Sequence, residues 1–316
     1  MNAELVIKGM IAPGEERPSI WRKGVLQIWV TRACDKSCFA CTQGSNLGGK
    51  PGMISLEHFE QACQSLQGYF GVVGIFGGNP VLHPKFEQLC EIYTKYFPYE
   101  QRGIWCNHPK DKGALLRQVF NPAVSNLNVH LDQEAYDEFC KDWPESKAVL
   151  KGLEGDSRHS SPFVALKDVI EDEQQRWDLI AGCDINRYWS AMVCVVRGKL
   201  KGYFCEIAGS QAMLHENDPS YPDLGVDAID GWWKKPIEDF ADQISFYCHR
   251  CGIPLRAKGE LAITGKNEYV SQTHQLIYKP KTPKRNVVTV DNLDAVGPNS
   301  LPKATDYIEN GQILTS

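Results

Sequence analysis

Cys34-Asp35-Lys36-Ser37-Cys38-Phe39-Ala40-Cys41 is the stretch on which the fold turns. Its three cysteines stand at C-x3-C-x2-C spacing, just after Val25-Leu26-Gln27-Ile28-Trp29-Val30, an apolar run rich in strand formers. The cysteines therefore sit on a loop past the C-terminal end of a strand. Thiolate ligation of an iron–sulfur cluster needs such a close grouping. Three thiolates, where a closed cubane takes four, leave one iron open to a substrate or cofactor, by the logic that separates catalytic from structural zinc sites. The competing reading is three incidental cysteines or part of a zinc site.

A second stretch, Phe76-Gly77-Gly78-Asn79-Pro80, closes another apolar run, Val72-Val73-Gly74-Ile75-Phe76. Paired glycines let the backbone approach a ligand closely, and Asn79 offers a carbonyl acceptor. A C-x3-C-x2-C loop followed by this strand-end turn resembles the radical S-adenosylmethionine (SAM) superfamily. The resemblance implies a 4Fe–4S cluster on Cys34, Cys38 and Cys41, with SAM on the open iron. It also implies that Gly77, Gly78, Asn79 and Pro80 hold the amino group of SAM. Two departures are visible. Ala40 precedes the third cysteine where the family carries an aromatic residue, here displaced to Phe39, and Asn79 stands where an acid is common. On this reading Gly78→Val weakens SAM binding and leaves the cluster in place.

Outward from these motifs, Ser55 is a good N-cap for a helix with Leu56, Phe59, Ala62, Cys63 and Leu66 on its apolar face. A helix over Pro84 to Tyr96, a strand at Gly103 to Cys106 and a weaker helix at Gly113 to Phe120 follow. Then come a strand at Asn126 to Asp132, a helical stretch at Glu134 to Lys141, a fifth strand within Phe163 to Ile170 and a helix within Asp172 to Ile180. Such alternation argues a parallel α/β sheet with crossover helices. The resemblance makes it a partial (β/α)6 TIM-type barrel over residues 1–181, with function at the C-terminal ends of the strands. Cys106, Asn107, His108, His130 and Asp132 fall at such ends, and Asn107 and Asp132 lead as contacts for SAM or substrate. The plain alternative is ordinary polar residues at loop entries. The glycine-rich stretch Gln43 to Met53 reads equally as a lid or a solvated loop.

Residues 182–278 change character and read as a small cysteine-rich α+β domain. Cys183, a strand–turn–strand, Cys205, a helical stretch at Pro236 to Ile244, and Cys248-His249-Arg250-Cys251 follow in order. This order is similar to the twitch or SPASM extensions of radical SAM enzymes, and the similarity implies a second, auxiliary 4Fe–4S cluster on Cys183, Cys205, Cys248 and Cys251. Arg250, between the paired cysteines, is placed to favour the reduced cluster. With Gly252 after the second cysteine, the pair equally suits a zinc knuckle. Cys63, Cys90, Cys106, Cys140 and Cys194 read as small buried apolar residues, Cys106 being the best placed to donate a hydrogen atom. Trp232 and Trp233 suit packing or, less simply, stacking on a base. The tail 279–316 reads as a surface arm carrying Lys279, Lys281, Lys284 and Arg285.

The 316 residues, 42% apolar and 23% charged, are ordinary for a globular chain, and a net charge of −5 provides no global basic footprint for nucleic acid. Met1 to Ser19 lacks an apolar core of signal type, and no run approaches a membrane span of ~18 residues. Twelve cysteines without such a signal point to metal in a reducing compartment and to a cytoplasmic enzyme. The resemblance implies reductive cleavage of SAM to a 5′-deoxyadenosyl radical, which takes a hydrogen atom from a substrate C–H. The electron donor is then of flavodoxin or ferredoxin type. The substrate reads as a small molecule, amino acid or nucleoside. A ribosomally made peptide and a nucleobase in DNA or RNA are alternatives. A non-catalytic zinc-ribbon protein is the reading from a different class.

Overall fold

The computed structural model describes residues 24–36, 38, 41–47, 51–130, 132–146, 148–151, 161–183, 190–255 and 270–277, with the short strands Val287–Val288, Ile308–Glu309 and Gln312–Ile313 beyond. The tail cations singled out above lie outside the described residues.

Strand β1 spans Val25–Thr31, and its Leu26, Ile28 and Val30 are fully buried. Each such side chain contributes about 1.5–3 kcal/mol. Helix α1 (Leu56–Ser65) starts at Ser55, whose hydroxyl accepts the His58 N–H at 3.1 Å, and it buries Phe59, Ala62 and Cys63. Strand β2 (Val72–Gly77) follows, then α2 (Phe86–Tyr96), whose Tyr93 hydroxyl donates to the Val73 carbonyl and pins the helix to β2. The chain continues through β3 (Arg102–Ile104), α3 (Gly113–Val119), β4 (Asn128–His130), α4 (Gln133–Asp142) and β5 (Val149–Lys151). Next come α5 (Leu166–Val169), α6 (Glu173–Ala181), β6 (Ala191–Val196), β7 (Lys199–Tyr203) and α7 (Glu206–Leu214). Strand β8 (Val226–Asp227), α8 (Ala241–Tyr247) and β9 (Val270–Ser271) complete the elements that matter here.

The central sheet runs β3-β2-β1-β6-β7-β8. Strand β1 lies parallel to β2, with Val25 opposite Val72, and parallel to β6, with Leu26 opposite Ala191. Strands β2 and β3 are also parallel, whereas β6–β7 and β7–β8 are antiparallel. Strands β4 and β5 form a parallel pair of their own, joined to the end of β3 by a bridge between Trp105 and Asn126. The architecture is mixed α/β with a mostly parallel sheet. The strand that opens the C-terminal hairpin is the neighbour of β1 rather than the start of a separate sheet.

Two expectations need correction. No strand forms within Phe163 to Ile170; Leu166–Val169 is α5, and the fifth strand is β5. The apolar run there is buried without being a strand, because its backbone bonds are single contacts to Gly252 and to Ser271 of β9 and form no ladder. The Ser271 N–H donates to the Phe163 carbonyl at 2.9 Å, the Gly252 N–H to the Pro162 carbonyl at 3.3 Å, and the Ala165 N–H to the Ser271 hydroxyl at 2.8 Å. A short buried run carries no period that separates these outcomes. Conversely, β5 is only three residues long and exposes its apolar Val149 by 50% and Leu150 by 36%, so no buried run marks it in the sequence. The second correction is Cys140, which lies exposed on α4.

Trp232 and Trp233 are packing residues. Trp232 lies against the backbone of Gly202, where an added Cβ would come within 2.9 Å of ring atom Cδ2, and it meets Phe240 edge-on at 6.5 Å. Trp233 meets Tyr69 edge-on at 5.4 Å, and both indoles are buried. Trp232→Ala is therefore expected to destabilise the fold by about 3–5 kcal/mol. Denaturant titration checks this, and a loss below ~1 kcal/mol would return the ring to a surface role.

Candidate metal centres

The first cysteine group hangs from the C-terminal end of β1. The Cys41 N–H donates to the Cys38 carbonyl at 3.3 Å, and the Gly44 N–H to the Cys41 carbonyl at 3.1 Å, so the loop turns back on itself. The Lys36 N–H and the Asn107 side-chain amide each reach the Cys34 sulfur at 3.4 Å. Burial raises the Cys34 thiol above its usual range, and Cys41 raises it further. Burial, then Cys41 and Cys34, push Cys38 up to about 12. Cys41 thus acts on both of the other thiols. Three such charges in a half-dry pocket are tolerable only against positive charge, and a metal that bound there would have to displace protons. Among the described residues, no three His, Cys, Asp or Glu side chains gather as they would round one metal ion. A cubane spreads its thiolates over separate irons.

The glycine turn packs on this same loop. The Gly78 N–H donates to the Thr31 carbonyl at 2.8 Å and the Asn79 N–H to the Ala33 carbonyl at 2.7 Å, extending the β1–β2 ladder past Thr31. A Cβ at Gly78 would collide with the Ala33 carbonyl oxygen and lie 2.9 Å from that of Arg32. The glycines therefore allow two backbones to touch, whatever ligand they also serve. A valine at Gly78 would therefore push on the backbone of the cysteine loop itself, a contact that the expectation of an undisturbed first site did not include. Asn79 is buried; its amide donates to the His108 carbonyl at 3.0 Å and its Oδ1 accepts from the Cys106 thiol at 3.1 Å. Pro80 opens a short 3-10 turn, Pro80–Leu82.

The remaining strand-end residues divide. Asn107 touches the cysteine loop, and its buried Oδ1 has no hydrogen-bond partner among the described residues, an acceptor suited to a ligand's N–H or O–H. Asp132 is already employed: one oxygen caps α4 by accepting the Ala135 N–H at 3.0 Å, and the other pairs with Lys36. Those hydrogen bonds, Lys36 first, hold its carboxyl below the usual range. Lys110 reaches back to Asp35 at 2.8 Å. Asp35 and Lys36, adjacent on the cysteine loop, are thus tied to two different strand ends. Cys106 is buried and donates to Asn79 and to the His108 carbonyl, both at 3.1 Å, which leaves it enclosed rather than aimed at a substrate. His108 lies 3.6 Å from Glu138. The side chain of His130 is outside the described residues.

Sequence reasoning missed Arg32, Lys110 and Gln43. Burial lowers the Arg32 pKa while Cys41 acts to raise it, which places the guanidinium within electrostatic reach of that thiol, and Arg32 Nη1 donates to the Gly44 carbonyl at 3.3 Å. Gln43 accepts from the Ser210 hydroxyl on α7 at 3.0 Å, and Gln43 and Ser45 to Leu47 are buried. That part of the glycine-rich stretch is a packed connection, not a lid.

The second group meets in a small cavity, partly open to solvent. Cys183 follows α6, Cys205 precedes α7, Cys248 and Cys251 follow α8, and all four line it together with apolar residues such as Ile180 and Phe204. Burial drives the Cys251 thiol far above its usual range, with Cys183, Cys205 and Cys248 adding to it. Arg250, expected to favour the reduced cluster, engages Phe246. Its guanidinium lies 3.6 Å over the Phe246 ring and donates to the Phe246 carbonyl at 2.9 Å, an arrangement that planar, weakly hydrated guanidinium favours.

No family model matches this chain, and no curated protein matches it. Among solved structures, BtrN in complex with AdoMet and 2-DOIA is 15% identical, with 72% of this chain and 92% of that one covered and a TM-score of 0.42. Selenomethionine BtrN in an open conformation is 14% identical, with 76% and 91% covered and a TM-score of 0.37. Among the described residues, no helix is long and apolar enough to cross a membrane.

Proposed function

We propose that this chain is a radical SAM enzyme. The observation that carries the reading is the placement of Cys34, Cys38 and Cys41, within electrostatic reach of one another, on a loop whose base is clasped, backbone to backbone, by Gly78 and Asn79. The three thiols, the N–H donors to Cys34 and the unpartnered Asn107 Oδ1 suit a cluster with an open iron and a polar ligand beside it. When bound, the cluster supplies the electron that cleaves SAM, so that a hydrogen atom can be taken from a substrate C–H. The chain's own residues hold and shield. Gly77, Gly78, Asn79 and Pro80 shape the SAM cradle, Asn107 accepts a hydrogen bond from it, and Asp132 steadies Lys36 on the loop. The buried Gln43 and Ser45 to Leu47 keep water from one side of the pocket. Chromatography after anaerobic reduction with SAM tests the reading: methionine and 5′-deoxyadenosine are expected in equal amounts. Neither product forming would leave a metal-binding protein.

The four-cysteine cavity is proposed to hold an auxiliary 4Fe–4S cluster, fully ligated by Cys183, Cys205, Cys248 and Cys251. It then has no open iron and acts in electron transfer or in holding its surroundings together. Anaerobic protein is expected to carry about 8 Fe and the triple variant Cys34→Ala/Cys38→Ala/Cys41→Ala about 4, with a spectrum indifferent to SAM. One zinc and almost no iron in that variant would replace the cluster by a structural zinc site. The substrate is proposed to be a small molecule; burial of both tryptophans removes the base-stacking support for a nucleobase.

A further inference from the structure

A buried polar chain runs beside the four-cysteine cavity, and neither cysteine group uses it. His274 Nε2 lies 2.7 Å from the Arg250 carbonyl oxygen. His274 Nδ1 lies 3.0 Å from His215 Nε2, and His215 Nδ1 lies 3.6 Å from Asp218 Oδ2. His215 is 1% exposed and His274 0%. The His215 ring stacks flat on Tyr221 at 3.9 Å. One end of the chain is the backbone between Cys248 and Cys251. Gln211, which lines the cavity, donates to the same Arg250 carbonyl at 3.0 Å. The other end reaches water: the Asp218 side chain is 12% exposed, and its Oδ1 is held by the Ser220 N–H at 2.9 Å and hydroxyl at 2.6 Å.

The chain is one proton short. A carboxylate and a carbonyl only accept, and two neutral imidazoles bring two N–H groups. Three gaps need three. The gap without a proton is the long one, and His215 Nδ1 is buried with no hydrogen-bond partner among the described residues. One added proton completes all three bonds, whichever tautomers it finds.

We propose that His215 and His274 form a one-proton site, filled through Asp218, that answers the charge in the four-cysteine cavity. It rests on the auxiliary-cluster reading. An electron from a one-electron donor reduces the cluster, and one proton from water joins the imidazole pair; no other bond forms or breaks. Asp218, Tyr221, His274 and Arg250 face His215, while His215, Arg250, Asp168 and Lys167 face His274. Burial lowers both imidazoles, His215 to about 4 and His274 to about 3, with Asp218 acting the other way on His215. The pair is neutral above that range while the cavity is oxidised. Negative charge arriving nearby raises its proton affinity. The reduction potential then falls as pH rises between the oxidised-state and reduced-state pKa values, and is flat outside them.

The test is a dithionite titration of the Cys34→Ala/Cys38→Ala/Cys41→Ala protein from pH 4.5 to 8, followed by electron paramagnetic resonance. At the limit of one proton per electron, the reduction equilibrium changes tenfold per pH unit, which is 59 mV. A slope of that sign, confined to the acid part of the range, is expected. Asp218→Asn and His215→Phe should flatten it while iron content and line shape stay. Persistence of the slope in Asp218→Asn overturns the proton site, as does a bound cluster whose potential ignores pH in the parent. A parent without iron overturns the auxiliary cluster, and the proton site with it.

Discussion

Replacing Cys34, Cys38 or Cys41 with alanine is expected to stop 5′-deoxyadenosine formation while the chain still folds. The three thiols lie half-buried on a loop at the mouth of the sheet, outside the packed core. Their loss therefore costs little packing. It removes one of only three anchors of the proposed cluster, a larger insult than the ~10–100-fold cost of disturbing an outer-shell partner. The expected loss of product exceeds ~100-fold on that scale, and thermal unfolding followed by circular dichroism should shift little. Product chromatography decides the matter: wild-type rates from any one variant would strike that cysteine from the ligand set.

Gly78→Val is expected to remove both the iron of the first site and the response to SAM. The new side chain meets the Ala33 carbonyl and comes within 2.9 Å of the Arg32 carbonyl, and neither can swing aside as a side chain could. The cysteine loop must shift away from β2, breaking the bonds from Gly78 and Asn79 to Thr31 and Ala33. A displacement of ~1 Å at a reacting centre is enough for losses of about 100-fold. Metal analysis should fall from about 8 Fe toward about 4, and SAM should give no heat in calorimetry. Full iron with SAM binding alone abolished would mean that the loop tolerates the crowding and that the glycine serves only the ligand.

Much of this was legible in the sequence because punctuation falls where apolar runs end. Strands β1 and β2 stop at Thr31 and Gly77, next to the residues that carry chemistry, and Arg197-Gly198 marks the β6–β7 turn with two positive φ angles. The meeting of Cys183, Cys205, Cys248 and Cys251 in one cavity followed from their order along the chain. What stayed hidden depends on long-range pairing. Lys36 and Asp132 are 96 residues apart, and His215 and His274 are 59 apart. No local pattern announces such partners, since a charged or aromatic residue on a loop has many plausible fates. Asn79 shows the same limit at short range. Its carbonyl is suited to a ligand, yet the bond it makes here is to Cys106, a residue read as apolar filling or as a hydrogen-atom donor and not as a partner of Asn79.

The pairing of β6 with β1 bears on how the chain can be cut. Strand β1 has neighbours on both sides, and three registered pairs, beginning at Leu26 and Ala191, seal its second edge. A fragment ending near Ala181 would keep both sequence motifs but leave a long, apolar row of unpaired N–H and C=O groups in the middle of what had been a sheet. Such a row is a template for other chains. The hairpin is thus a built-in guard against self-association, and its absence would show first as insolubility, before any question of catalysis arose.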